Sequence, residues 1–398
     1  MYGNFGETLS RELASMREQG LYKEERILEG PQGAEITVAG AQVLNFCANN
    51  YLGLAADPRV VAAAKRTLDE WGYGLSSVRF ICGTTRLHKQ LERELSDFLG
   101  TEDTILYAAC FDANGGVFEP LLTKESAIVT DALNHASIID GVRLAKAQRF
   151  IYNHSDMDHL AEQLQAARGA KFRMIVTDGV FSMDGHLAKL PEICALADKY
   201  DAMVCVDDSH ATGFTGPGGR GTPEKFGVIE RVDLVTTTLG KALGGALGGC
   251  TSGRREIIEY LRQKSRPYLF SNSLPMMICG AALEVLKILR EDPAPLKTLA
   301  RNQSRLRGGL RELGFDVNEG DHAIIPVHFR QHEDDAQMAQ GMAADLLTEG
   351  IYCIGFSFPV VPRGQARIRL QASAAHTDEH ITRCLEAFER VGRKHGAI

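Results

Sequence analysis

The 398-residue chain has one tryptophan, and no two of its nine cysteines form a C-x-x-C pair. The cysteines stand at 47, 82, 110, 194, 205, 250, 279, 353 and 384, several inside apolar runs such as MVCVDD and MMICGAAL. Thiols placed this way fit buried or site-lining positions in a reducing compartment and argue against a disulfide framework. No Lys/Arg-rich run occurs, and the formal net charge of −7 argues against non-specific nucleic-acid binding. The opening stretch MYGNFGETLSRELASMREQG lacks a basic segment followed by an apolar one, and no apolar run is long enough to span a bilayer. A cytoplasmic chain with no nucleic-acid or membrane partner is therefore expected. Neither a G-x-x-x-x-G-K-[ST] loop nor a G-x-S-x-G elbow is present, which weakens nucleotide-triphosphatase and hydrolase readings. Gly216-Pro217-Gly218-Gly219-Arg220-Gly221 satisfies G-x-G-x-x-G, but it carries a proline and is followed by TPEKFG, where no helix is expected. It reads as a glycine-rich loop.

With 44% hydrophobic and 24% charged residues, the chain has an ordinary globular composition and enough length for a large domain plus a smaller one. An amphipathic helix is expected from about Glu7, with Leu9, Leu13 and Met16 on one face and Gly20 as its stop. Such an arm packs on another domain or a partner subunit. EITVAGAQVLNF alternates like a hairpin through Ala39-Gly40, Asp57-Pro58 opens a helix that Gly72 ends, and a second helix stops at Gly100. From about Asp103 strands alternate with helices: TILYAA, SAIVT, FIYN, FRMIVT, MVCVD and VDLVTTT are the strands. The helix after FIYN has Ser155 and Asp158 in capping-box positions, and KLPEICALADKY has Pro191 in its first turn. This alternation indicates crossover units and an α/β fold with a mostly parallel sheet. Beyond DPAPL, a basic helix, the strands AIIPVHF, IYCIGF and ARIRLQAS, and two further helices make a smaller C-terminal α+β domain. The expected division is 1–45 for the arm and hairpin, 46–290 for the large domain and 291–398 for the small one.

In an open parallel sheet, ligands bind off the carboxyl ends of the strands. Five expected strand ends carry polar groups: Cys110-Phe111 after TILYAA, His135 after SAIVT, Ser182 after FRMIVT, Asp207-Asp208-Ser209-His210 after MVCV, and Thr238 and Lys241 after VDLVTT. Each has an ordinary reading alone. A lone histidine is more often structural, Asp208 reads as a turn cap, Ser182 as a loop serine and Cys110 as a small buried thiol. The DDSH run resembles part of a metal site, but no other cluster at ligand spacing accompanies it.

Together the five ends match what pyridoxal 5′-phosphate (PLP) needs. Lys241, flanked by glycines in VTTTLGKALGG, offers the amine for a Schiff base, and Asp207 offers a carboxylate for the pyridine nitrogen. His210 is placed for the ring hydroxyl and His135 for the ring face. The amides of Cys110 and Phe111 with the Thr238 hydroxyl suit a phosphate. In ARIRLQASAAH, Arg367 and Arg369 share one face of a strand, and either a substrate carboxylate or plain surface exposure accounts for them.

The motifs NFCANNYLGL, SVRFICGT, CFDANGG, DALNHASIIDGVR, TDGVFSMDG, VDDSHATGF, TTTLGKALGG, RPYLFSNSL and GQARIRLQASAAHT resemble the α-oxoamine synthase family of fold-type I PLP-dependent transferases, over essentially the whole chain. The resemblance implies an acyltransferase that interconverts glycine plus acetyl-CoA with 2-amino-3-oxobutanoate plus CoA, the reverse direction serving threonine breakdown. It implies Lys241, His135, Asp207 and His210 as catalytic, with PLP held further by Cys110, Phe111, Ser182, Asp208, Ser209 and Thr238. Ser271 and Asn272 are implied to reach the phosphate of the neighbouring subunit, making a homodimer with shared sites. Asn49, His135 and Arg369 are implied for substrate, and a threonine dehydrogenase as a functional partner. The acyl pocket is not legible in these motifs. Rival readings are an α-oxoamine synthase with another acyl-CoA or amino acid, an aminotransferase, and a non-catalytic ligand sensor on the same fold.

Overall fold

The computed structural model describes residues 2–19, 21–23 and 25–398. The N-terminal helix runs Gly3–Glu18 and buries none of its residues; Leu9, Leu13 and Met16 of its apolar face are exposed. Gly20, expected as its stop, lies outside the described residues. Strands β1 (Glu35–Val38) and β2 (Ala41–Asn45) form the expected hairpin, with Ala39 and Gly40 at φ 50° and 76°. Two positive φ values in a two-residue turn match the right-handed twist of the paired strands. Helix Pro58–Trp71 starts where the Asp57 carboxylate accepts from the Arg59 amide at 2.8 Å, and helix Arg86–Leu99 ends at left-handed Gly100.

The central sheet contains β3 (Asp103–Tyr107), β4 (Ser126–Asp131), β5 (Gln148–Tyr152), β6 (Phe172–Asp178), β7 (Ala202–Asp207), β8 (Leu234–Thr238) and β9 (Gly249–Gly253), in the order β3-β9-β8-β7-β6-β4-β5. β9 pairs antiparallel with both neighbours and the remaining pairs are parallel, so six strands run one way. β9 has the sequence GCTSG, too glycine-rich to read as a strand. It forms because its small residues sit fully buried between two neighbours. Alternate residues of the strands feed opposite faces. Ile128, Met174, Val176, Cys205 and Leu234 pack with Val117, Phe118 and Leu261 on one side. Val129, Ile175, Val204, Val206 and Val235 pack with Leu160, Leu164 and Ile193 on the other.

Two local expectations fail. The helix Met157–Ala166 is capped by Asp156, whose carboxylate accepts from the His159 amide at 3.0 Å; Ser155 sits outside it at φ 54°. A helical turn, Thr222–Lys225, does follow the glycine-rich loop. The loop amides of Gly218 and Arg220 are nevertheless taken by the Glu224 carboxylate at 2.9 and 3.0 Å, which fills the place a phosphate would need.

The remaining strands are β10 (Asp316–Val317), β11 (Ile324–His328), β12 (Ile351–Tyr352), β13 (Ile354–Phe356) and β14 (Arg367–Gln371). β10-β11-β14-β13 form an antiparallel sheet. The run IYCIGF, read as one strand, splits at Cys353: β12 leaves to pair parallel with β2 of the N-terminal hairpin, while β13 borders β14. This split ties the chain's beginning to its last quarter. The fold is α/β, with a mostly parallel central sheet.

Candidate active site

The carboxyl ends of β4, β6, β7 and β8, with the segment after β3, surround a cavity of about 230 Å³. It is lined by Cys110, Phe111, His135, Ser182, Asp207, Ser209, His210, Thr238 and Lys241. Nine of the residues expected at a cofactor are thus brought together, and the reason is topological: parallel strands deliver their ends to one edge.

Lys241 follows β8 in a turn and, among the described residues, has no ion-pair partner. Burial pulls its ammonium pKa below 10.5, opposed by the nearby Asp207 carboxylate. Asp207 ends β7 and is buried; its Oδ2 accepts from Asn114 Nδ2 at 2.6 Å and its Oδ1 from the Ser209 amide at 2.9 Å. A carboxylate so fixed is ready for a cationic or protonated partner. Ser209 Oγ lies 3.3 Å from Cys110 Sγ, and burial with the Asp207 charge raises the Cys110 thiol pKa well above 9, leaving it an inert thiol.

The helix Cys110–Leu121 begins at Ala109 with no side-chain cap. Its first amides therefore face the cavity without an internal acceptor, the arrangement that receives anions. Gly249 allows the approach: a Cβ there would lie 2.3 Å from the Cys110 nitrogen. Thr238 Oγ1 stands beside Gly240 N at 2.9 Å.

His135 caps the helix Ala136–Leu144, with Nδ1 2.7 Å from Ser137 Oγ and its amide donating to Asp178 Oδ2 at 2.9 Å. Burial lowers its pKa. His210 is set by Tyr51, whose hydroxyl lies 2.8 Å from Nδ1. Burial and the charges of Lys241 and Arg369 push its pKa well below 6.5, so it is neutral.

Asp208 turns away from the cavity. Its carboxylate takes the Thr222 hydroxyl at 2.6 Å and amide at 2.8 Å, and burial raises its pKa to about 7. It anchors the glycine-rich loop, as its ordinary reading had it. Ser271 and Asn272 are exposed and do not line the cavity of their own chain.

Arg369 borders the site through the lining residue Ser182. Asn49 is not among the residues that line the cavity; its Oδ1 is buried and has no hydrogen-bond partner among the described residues. Arg369 Nη1 donates to the Ser182 carbonyl at 2.9 Å, its guanidinium stands 5.0 Å over the Phe356 ring, and its buried Nε has no partner among the described residues. Arg367, the other candidate, is consumed internally: it pairs with Asp184 and donates to Met183 and Gln365 carbonyls. Among the described residues the Nε and Nη2 atoms of Arg369 make no hydrogen bond, which leaves that edge able to meet a carboxylate with two hydrogen bonds.

Sequence reasoning missed Asn114, Asp178 and Tyr51. Asn114 was findable as the residue one turn after Cys110, on the same helix face. Asp178 is the last residue of β6, four before the serine that was chosen; burial and Asp207 raise its pKa well above 3.8. Tyr51 reaches His210 across 159 positions, and no local pattern signals that.

The profile of the family described as "Aminotransferase class I and II" matches residues 41–388. The chain is 56% identical to the 2-amino-3-ketobutyrate coenzyme A ligase of Escherichia coli K12, covering 100% of both chains, and 50% identical to the human mitochondrial protein of that name, covering 98% of this chain and 93% of the relative. Among solved structures, a serine palmitoyltransferase from Sphingomonas wittichii aligns with a TM-score of 0.92 at 32% identity, covering 100% of this chain and 99% of that one.

Proposed function

The chain belongs to the class I and II aminotransferase family, and from that premise we propose that it is a PLP-dependent acyltransferase that joins glycine and acetyl-CoA to 2-amino-3-oxobutanoate and CoA, and serves threonine degradation in reverse. The observation that carries the reading is one cavity holding an amine without an ion-pair partner, a fixed carboxylate and an uncapped helix N-terminus.

That donor set fits the cofactor. Lys241 would hold its aldehyde, Asp207 its ring nitrogen, and His210 its ring oxygen. His135, Ser182 and Ser209 would border it, and the amides of Cys110 and Phe111, with Thr238, would take its phosphate. When bound, the cofactor supplies an electrophilic carbon and a ring that accepts the electron pair left on the substrate α-carbon. Asp207, held by Asn114 and the Ser209 amide, would keep a proton on the ring nitrogen. Arg369 grips the glycine carboxylate through its free edge, and Asn49 Oδ1 offers an acceptor to a substrate group. Once the glycine amine has taken its place, Lys241 would be free as an amine, biased toward the neutral form by burial, and would remove the α-proton; a positioned base of this kind contributes roughly 10²–10⁴-fold.

The acyl donor enters, on this reading, through a second cavity of about 430 Å³ that Phe356 helps to line. Lys23 and Arg26 stand with Tyr352 and Phe358 in its lining, a basic and aromatic wall suited to a phosphorylated, extended carrier. Ser271 and Asn272 serve the phosphate site of a second copy in a homodimer. The exposed Phe80, Ile81 and Phe270, and the unpacked face of the N-terminal helix, support that assembly, because a second copy would cover them. We place the protein in the cytoplasm, in keeping with its nine free cysteines, and take a threonine dehydrogenase as the partner whose product this site consumes.

The test is reconstitution with PLP. The wild-type chain is expected to develop a visible absorption band that borohydride abolishes while fixing the cofactor covalently on Lys241, and Lys241→Ala to lose both the band and CoA-dependent turnover. A variant that keeps turnover defeats the reading.

A further inference from the structure

Between β6 and the helix Leu190–Tyr200 the chain makes a short finger. Val180 and Leu187 bridge antiparallel, the Phe181 amide donates to the His186 carbonyl at 2.9 Å, and the Gly185 amide returns to the Phe181 carbonyl at 2.9 Å. The finger starts in the central sheet and ends against the C-terminal one. Gly185, at φ +69°, lies so close that a Cβ would stand 2.7 Å from the Ile324 carbonyl of β11. Its tip meets two arginines of β14. Arg367 pairs with Asp184 and donates to the Met183 carbonyl at 3.3 Å, while Arg369 donates to the Ser182 carbonyl at 2.9 Å. The Arg367 side chain is 2% exposed and that of Asp184 16%, so the pair is shielded from salt and solvent.

We propose that Asp184 is a positioning residue for substrate: paired with Arg367, it clamps the finger onto β14 so that the Ser182 carbonyl holds Arg369 by Nη1 and leaves its Nε/Nη2 edge for the carboxylate of the amino-acid substrate. The inference rests on the reading of Arg369 as the carboxylate site. The physical argument is one of preorganisation. An arginine side chain has many rotamers, and fixing one nitrogen to a rigid carbonyl removes an ordering cost that substrate binding would otherwise bear. The Ser182 carbonyl is rigid only while the finger is held, and the Asp184–Arg367 pair is its ionic attachment to β14. Asp184 touches neither cavity; it acts through Arg369.

The experiment compares Asp184→Asn, Asp184→Glu, Gly185→Ala and Arg369→Ala as holoenzymes. It reads the glycine dissociation constant from the change in cofactor absorption, and the separate KM values for glycine and acetyl-CoA. Asp184→Asn is expected to raise the glycine constant by about tenfold with the acetyl-CoA KM unchanged, a loss of binding at one substrate only. Asp184→Glu restores most of it, and Gly185→Ala, which displaces the finger without touching the ion pair, repeats the defect. An Asp184→Asn holoenzyme with unchanged glycine affinity, beside an Arg369→Ala enzyme that has lost it, overturns the inference and leaves the carboxylate reading intact. An equal loss for both substrates overturns it as well, since that marks general loosening. If Arg369→Ala binds glycine normally, the carboxylate reading itself fails and the inference falls with it.

Discussion

The Tyr51 hydroxyl lies 2.8 Å from His210 Nδ1, and this contact fixes where the histidine carries its proton. Tyr51 has no exposed surface, and burial raises its pKa above 10, so it stays a phenol. A buried phenol that accepted from the ring would leave its own O–H unpaired, so donation to Nδ1 is the arrangement that satisfies it. His210 therefore carries its proton on Nε2, ready to donate into the cavity. In Tyr51→Phe the acceptor is left unpaired, which costs about 1–3 kcal/mol of stability. Nitrogen NMR of the cofactor-free protein is expected to show a single Nε2–H form of His210 in the wild type and a mixture in the variant. A mixture in both would contradict this assignment.

Acid stability follows from other buried histidines. His322 donates Nε2–H to the His210 carbonyl at 2.7 Å and accepts the Ile324 amide on Nδ1 at 3.0 Å; His376 does the same with the Asn45 carbonyl at 2.9 Å and the Ser373 amide at 3.1 Å. A second proton on either ring would face a backbone N–H. Burial lowers both pKa values to about 4. Between pH 6.5 and about 4 the unfolded chain binds protons that the folded chain does not, so stability is full above 6.5 and falls as pH drops through this window, by on the order of 3 kcal/mol for each group. Urea unfolding from pH 7 to 4 measures the slope, and His376→Gln is expected to flatten it by about one proton's worth.

Arg369→Ala removes two charge-assisted donors from a carboxylate. At about 1.5 kcal/mol each, the glycine KM is expected to rise by roughly two orders of magnitude while the acetyl-CoA KM stays unchanged. Steady-state kinetics with each substrate varied in turn decides it, and a shared rise would mean that the arginine supports the fold instead.

Gly221 packs its backbone against the Asp208 carboxylate that anchors the glycine-rich loop. It has φ +109°, and a Cβ would stand 1.7 Å from Asp208 Oδ2. Gly221→Ala is expected to cost several kcal/mol by dislodging the Thr222 contacts of a buried carboxyl group, on the order of 3. Chemical denaturation measures the loss. A neutral substitution would show that Asp208 is not the anchor.

Much of this was legible because the relevant signals are local or periodic. The strands from β3 to β8 alternate with helices, and residues just after their ends needed only the rule that parallel strands share an edge. Lys241, Asp207, His210 and His135 were found that way. What escaped has a physical reason in each case. β9 has no side-chain signal because burial between two strands selects GCTSG for size. Cys353 splits one apolar run between two sheets, a tertiary choice that propensity does not record. Tyr51 and the Asp184–Arg367 pair act across more than 150 residues. Arg367 and Arg369 share a strand face and differ only in what the finger brings to them, so spacing alone left them equal.

Acetyl transfer to glycine at Lys241 is tested most directly by the choice of acyl donor. CoA release should be followed with glycine and, in turn, acetyl-, succinyl-, pimeloyl- and palmitoyl-CoA at equal concentration. Acetyl-CoA is expected to give the highest kcat/KM, and Lys241→Ala to release no CoA. A clear preference for any longer acyl group would contradict acetyl transfer.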